Sequence, residues 1–162
     1  AYAHGLSQTE SVPTRDAKGP MPQLVWYKDL NSYKRALKDT VNGLIHDMKD
    51  LSEKSRNIVV LSLTNDALPN EIFEKGYFNQ PVDKISATRQ SDRIQAGTLQ
   101  SFKGLESSAV VLVGLQDVQN KASRQLVYVG GTRAKLFLKI FLPENLKEDL
   151  RDRLASIMEL LR

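Results

Sequence analysis

Ala109-Val110-Val111-Leu112-Val113 is the strongest strand signal in the chain and sets its fold class. It holds no polar residue and is mostly β-branched, which marks a strand covered on both faces rather than one half-open to water. Nearly continuous apolar runs recur at 57–63 (NIVVLSL) and at 136–142 (LFLKIFL), the latter stopped by Pro143. Shorter runs at 23–27 (QLVWY), 84–87 and 94–98 read as further strands. Helical patterns fall between them. Over 29–54, Leu30, Tyr33, Leu37, Val41, Leu44, Met48 and Leu51 recur every three or four residues, one apolar stripe on an α-helix. A short helix is expected through Ile72 and Phe73, another over 123–129, and a last one over 144–161 along Leu146, Leu150, Leu154, Ile157 and Leu161. Strands alternating with helices predict an α/β protein with layers of α, β and α and a mostly parallel sheet of about five or six strands.

The bulk properties narrow the classes. A chain of 162 residues, 41% hydrophobic and 26% charged, fits one globular domain with a real core. Residues 1–22 are punctuated by Gly5, Pro13, Gly19, Pro20 and Pro22 and show no apolar period, so they read as an irregular tail or linker before a domain over 23–162. The chain opens on Ala1 rather than Met and is expected to be a piece of a longer protein. Cysteine is absent, which removes disulfides and thiolate metal sites and points to an intracellular, cytoplasmic location. No run approaches the ~18 apolar residues of a membrane span. Two histidines, His4 and His46, lie far apart without metal-ligand spacing. The net charge of +4 is a mild bias, compatible with a phosphate-bearing partner.

Two stretches put polar and basic groups at strand ends, where open α/β sheets bind ligands. One is Thr98-Leu99-Gln100-Ser101-Phe102-Lys103-Gly104-Leu105-Glu106; the other is Leu126-Val127-Tyr128-Val129-Gly130-Gly131-Thr132-Arg133-Ala134. What is missing matters equally. There is no Gly-Lys dipeptide, so no P-loop to cradle phosphates, and no Asp-Glu dipeptide to end a magnesium-binding strand. Gly-x-Ser-x-Gly is also absent, which argues against a serine hydrolase.

The first stretch resembles motif V of the UvrD/Rep-like superfamily 1 DNA helicases, a Thr followed by Lys-Gly-Leu-Glu and an apolar strand, here 109–113. The second resembles motif VI of that family, ending in Thr-Arg-Ala before a strand, here 136–142. Residues 58–65 occupy the place of motif IV. The resemblance covers roughly residues 23 to 142. It implies the second, C-terminal RecA-like motor domain, a P-loop NTPase-like fold without the P-loop itself. ATP and Mg2+ would be bound mainly by a first RecA-like domain that this chain lacks. The implied partners are that domain and single-stranded DNA, and this chain alone is expected to hydrolyse no ATP.

Residue roles carry over by position. Arg133 resembles the arginine finger that crosses the interdomain cleft to the γ-phosphate; taken by itself it reads as a surface Arg in a salt bridge. Glu106 resembles a carboxylate near the ribose or γ-phosphate, and by itself suits a turn or helix cap. Gly104 permits a tight turn or a close backbone approach. Thr132 would join the nucleotide site, and with Gly130 shape an Arg133 loop; Tyr128 reads as packing. Thr98, Gln100 and Ser101 resemble contacts to the single-stranded DNA backbone, with Gln100 replacing a frequent His. Lys103 suits either a phosphate or open solvent. Tyr77, Phe78 and Phe102 fall in expected loops and are candidates for stacking on bases, whereas Phe137 and Phe141 read as core. At motif IV the chain departs: Ser62-Leu63 stands where the family often has Tyr-Arg, so neither adenine stacking nor a second γ-phosphate contact is available there. The alternative reading is a non-catalytic nucleic-acid or protein binding module with the same fold.

Overall fold

A computed structural model describes residues 20–86, 92–102, 104–117 and 120–147. The expected tail over 1–22 and the last helix over 144–161 therefore lie mostly outside the described residues. Within them the strands are β1 (Gln23–Tyr27), β2 (Ile58–Ser62), β3 (Val82–Lys84), β4 (Ile94–Thr98), β5 (Ser107–Val113) and β6 (Ala134–Pro143). They form one sheet in the order β1-β6-β5-β2-β4-β3, and every pairing is parallel. The two longer helices are α1 (Leu30–Asp47) and α2 (Lys121–Arg133).

The apolar runs are continuous because both faces of the sheet are covered. Alternate residues of β2 and β5 enter two separate cores. Ile58, Val60, Ala109, Val111 and Val113 pack beneath α1 with Tyr33, Leu37, Val41, Leu44 and Met48. Val59, Leu61, Val110 and Leu112 pack beneath α2 with Leu126, Val127 and Phe102. The result is the three-layer α/β/α architecture that the alternation of strand and helix predicts.

Local chemistry sets the boundaries that periodicity leaves open. Asp29 caps α1: its carboxylate accepts from the Ser32 N–H at 2.8 Å, and the Ser32 hydroxyl oxygen accepts from the Asp29 N–H at 3.0 Å. The helix stops at Asp47, earlier than the apolar stripe predicts. Met48 and Leu51 keep the stripe going because the tight turns after the helix still lie against the sheet, with Leu51 N–H donating to the Met48 carbonyl at 3.0 Å. The helix expected through Ile72 and Phe73 is a 3-10 turn, Asn70–Phe73. The strand expected at 84–87 lies earlier, over Val82–Lys84; Ala87 is outside the described residues. β5 begins two residues before its apolar run. Its buried serines are satisfied by Asn57, whose side-chain oxygen accepts from the Ser108 N–H at 2.7 Å.

α2 is the largest revision. It runs four residues past the expected 129 end to Arg133 and passes into β6 with no loop. Gly130 and Thr132 therefore belong to a helix and not to a loop around Arg133. Gly130 has a packing reason: a Cβ there would come within 2.6 Å of the Leu112 side chain. The helix is drawn onto β5 closer than any other residue would allow.

Candidate functional site

The segment between β4 and β5 crosses the sheet from one end to the other. Thr98 closes β4 in register with Ser62, and Ser62 in turn with Val113, so these three mark the carboxyl edge. Ser107 pairs with Ala134, so Glu106 and Arg133 stand side by side just outside the amino edge. Of the two motifs, Thr98 and Ser101 are at the carboxyl end where open sheets usually bind ligands. The seven residues of β5 at about 3.3 Å each separate the two edges by about 20 Å. Phe102 lies between, fully buried in the α2-side core, and is not free to stack on a base.

At the amino edge, Arg133 is half-buried in the last turn of α2. Its guanidinium has no hydrogen-bond or ion-pair partner among the described residues. The carboxylate of Glu106 is met instead by Lys135, with Nζ 3.6 Å from Oε1 and both side chains more than half exposed. Arg133 lines a cavity of 680 Å³ together with Leu99, Gln100, Phe102, Gly104, Gln125, Tyr128 and Val129. Gly104 is a turn residue, with φ at +78° and open space where a Cβ would be. Thr132 is not directed to this cavity; its hydroxyl donates to the Val129 carbonyl at 3.2 Å within the helix. Tyr128, which the sequence reads as packing, is 54% exposed and belongs to the cavity wall. Its place on the outer face of a helix that runs on to Arg133 could not be inferred from a helix ending at 129.

At the carboxyl edge, Thr98 and Ser101 line a second cavity of 470 Å³ with Asn65, Asn70, Phe73 and Lys84. The Ser101 hydroxyl donates to the Thr98 carbonyl at 2.7 Å, which closes the turn after β4. Gln100 does not share this cavity and faces the one holding Arg133. Lys103 lies outside the described residues. Asn65 closes the motif IV stretch; Asn70, Phe73 and Lys84 carried no motif, and the structure alone brings all four to Thr98. Phe78 is buried in the α1-side core, and Tyr77 is half-buried with its ring 4.9 Å from that of Phe78.

The motif IV position is structural. Ser62 is fully buried, and its hydroxyl donates to the Thr64 carbonyl while accepting from the Thr64 N–H at 3.1 Å. On this side of the molecule burial pushes the Tyr33 phenol well above its usual range, and its hydroxyl donates to the Ala67 carbonyl at 2.5 Å. No group of three His, Asp or Glu side chains suited to a metal occurs among the described residues. No helix among them is long and apolar enough to cross a membrane.

No known protein family matches the chain, and no curated protein matches it in sequence. The fold does have a solved counterpart. The C-terminal domain of a possible DNA helicase from Lactobacillus plantarum WCFS1 superposes with a TM-score of 0.54 at 20% identity, covering 77% of this chain and 75% of that one. At that identity the likeness shows a shared α/β fold.

Proposed function

We propose that this chain is the second RecA-like motor domain of a UvrD/Rep-like superfamily 1 DNA helicase. The observation that carries the reading is the unpartnered Arg133 guanidinium beside Glu106 at one edge of the sheet, with Thr98 and Ser101 on a cavity at the other. ATP binds between this domain and a preceding one. Bound ATP would supply the phosphoryl group, and Mg2+ would be held mainly by the other domain. Arg133 reaches the transferring phosphoryl group and neutralises charge that develops on it. Glu106 and Gly104 border the same cleft. Thr98 and Ser101 bind the backbone of single-stranded DNA without reading sequence, whereas Gln100 faces the cavity of Arg133.

The amino edge is suited to this division of labour. α2 points its C-terminus, with partial negative charge, at that edge. Backbone amides cannot cradle a phosphate there as they do at a helix N-terminus. A side-chain cation is therefore what α2 offers the nucleotide, and further contacts come from the Gly104 turn and a facing wall.

The test is the domain joined to a P-loop partner. Arg133→Ala is expected to abolish DNA-stimulated ATP hydrolysis while ATP binding changes little. The isolated chain is expected to show no turnover; turnover that disappears with Arg133→Ala in the isolated chain would contradict the reading. The buried, self-satisfied Ser62 favours a second reading, a binding module of this fold without ATPase coupling. Under that reading Arg133→Ala leaves nucleic-acid binding intact and no coupled hydrolysis exists to lose.

A further inference from the structure

The cavity beside Thr98 holds more than a backbone clamp requires. Phe73 ends the 3-10 turn Asn70–Phe73. Its neighbour Ile72 is fully buried, which anchors the turn, while the Phe73 ring is left 38% exposed. That ring lines the cavity with the Asn65 and Asn70 side chains and Lys84. None of these three polar side chains has a hydrogen-bond or ion-pair partner among the described residues. An ammonium and two hydroxyls would suffice for a phosphate. An aromatic face in water adds nothing to phosphate binding, while the two uncommitted carboxamides can meet a phosphate or the edge of a base alike. Together they match a flat, edge-polar, π-faced ligand.

We propose that this cavity seats a base of single-stranded nucleic acid, with Phe73 as its stacking platform. The inference rests on the nucleic-acid reading above, which engages the backbone only. Every base has a π face, so stacking is tolerant of sequence. Each carboxamide offers both donor and acceptor, so Asn65 and Asn70 can meet the edge of any base. Lys84 takes the adjoining phosphate. Charge sets the direction of approach. The neighbouring cavity, which shares Asn65, Leu68 and Asn70, carries Asp66 and Glu71. Glu71 is occupied by Lys34 at 2.6 Å. The phosphate chain therefore runs on the Lys84 side, away from those carboxylates.

The experiment uses the whole chain and two fluorescently labelled oligomers of about twelve nucleotides, within the site sizes single-strand binders use. One is oligothymidylate and the other an abasic phosphodiester of equal length. Phe73→Ala is expected to weaken oligothymidylate binding about 5- to 150-fold, with abasic affinity within about twofold. Phe73→Leu keeps the apolar bulk and is expected to show the same selective loss, which separates stacking from any loss of folding. Phe73→Trp is expected to retain binding, with an emission quenched by oligothymidylate and not by the abasic oligomer; the wild type, whose one tryptophan is Trp26 on β1, gives the baseline. Equal losses on both oligomers, or no loss with Phe73→Ala while the wild type binds oligothymidylate in a salt-sensitive way, would overturn the stacking platform and leave the nucleic-acid reading standing. A wild type that binds neither oligomer would sink that reading and the inference together.

Discussion

The carboxyl ends of β2 and β4 offer short neutral side chains, Thr98, Ser101, Asn65 and Asn70, with one exposed ring and one lysine. The amino ends of β5 and β6 offer charges, Glu106, Arg133 and Lys135, beside an apolar and amide-lined wall. The difference follows from where the chain turns. At the carboxyl edge the strands run into 3-10 turns, whose backbone and amide groups lie in water. At the amino edge α2 runs straight into β6, and the partial negative charge of its C-terminus favours cations in that last turn. One surface is thus suited to a long, repetitive polyanion held by many weak contacts. The other is suited to one concentrated anion held by a single guanidinium.

The sharpest way to break this comparison is Arg133→Ala. In the domain joined to a P-loop partner, ATP turnover should fall by about 10³-fold or more, the effect of removing an arginine finger. Single-stranded DNA affinity, measured by titration in the same sample, should stay within about twofold. A parallel loss of both would show that the two surfaces are one. Phe102→Ala attacks the link between them. The ring is fully buried midway along the crossing segment, so its removal should cost about 3–5 kcal/mol in chemical denaturation and weaken both surfaces together. Gly130→Ala is expected to act on the amino edge first. The new Cβ would press Leu112 at 2.6 Å, costing about 1–3 kcal/mol, and should shift Arg133 without altering oligonucleotide binding.

The smallest effect concerns pH. Hydrogen bonds lower the carboxyls of Asp83, Asp92 and Glu71 through Arg93, Arg56 and Lys34 respectively. A carboxyl held lower in the folded state contributes stability above its unfolded value and loses it as pH falls through the folded one. Thermal unfolding should therefore show a modest loss of stability below about pH 4, weakened further by salt because these pairs are on the surface.

Much of this was legible in the chain. A mostly parallel sheet of five or six strands follows from the alternation of strands and helices, and two-faced burial from the apolar runs at 58–62 and 109–113, since no half-exposed strand could carry them. The start of α1 is a local capping interaction, but its end is not legible. Met48 and Leu51 continue the helical spacing through turns that pack in the same direction, and periodicity does not separate the two. For the candidate site, the motif residues were visible, and their grouping was not. Thr98 and Gln100 are two residues apart in a single motif, yet they line different cavities, because the 3-10 turn Leu99–Phe102 puts Gln100 on one side while Ser101 returns to the cavity of Thr98.

The amino-acid order alone fixes the layers, the lack of a P-loop sequence and the identity of the charged residues in the two motifs. Each is a local property of composition or spacing. The tertiary structure alone decided that Glu106 and Arg133 are neighbours, that Gly130 serves packing, that Tyr128 is exposed, and that Phe73, Asn65, Asn70 and Lys84 converge on Thr98. Those facts depend on strand order and register, which bring distant segments within reach through contacts that no local pattern encodes.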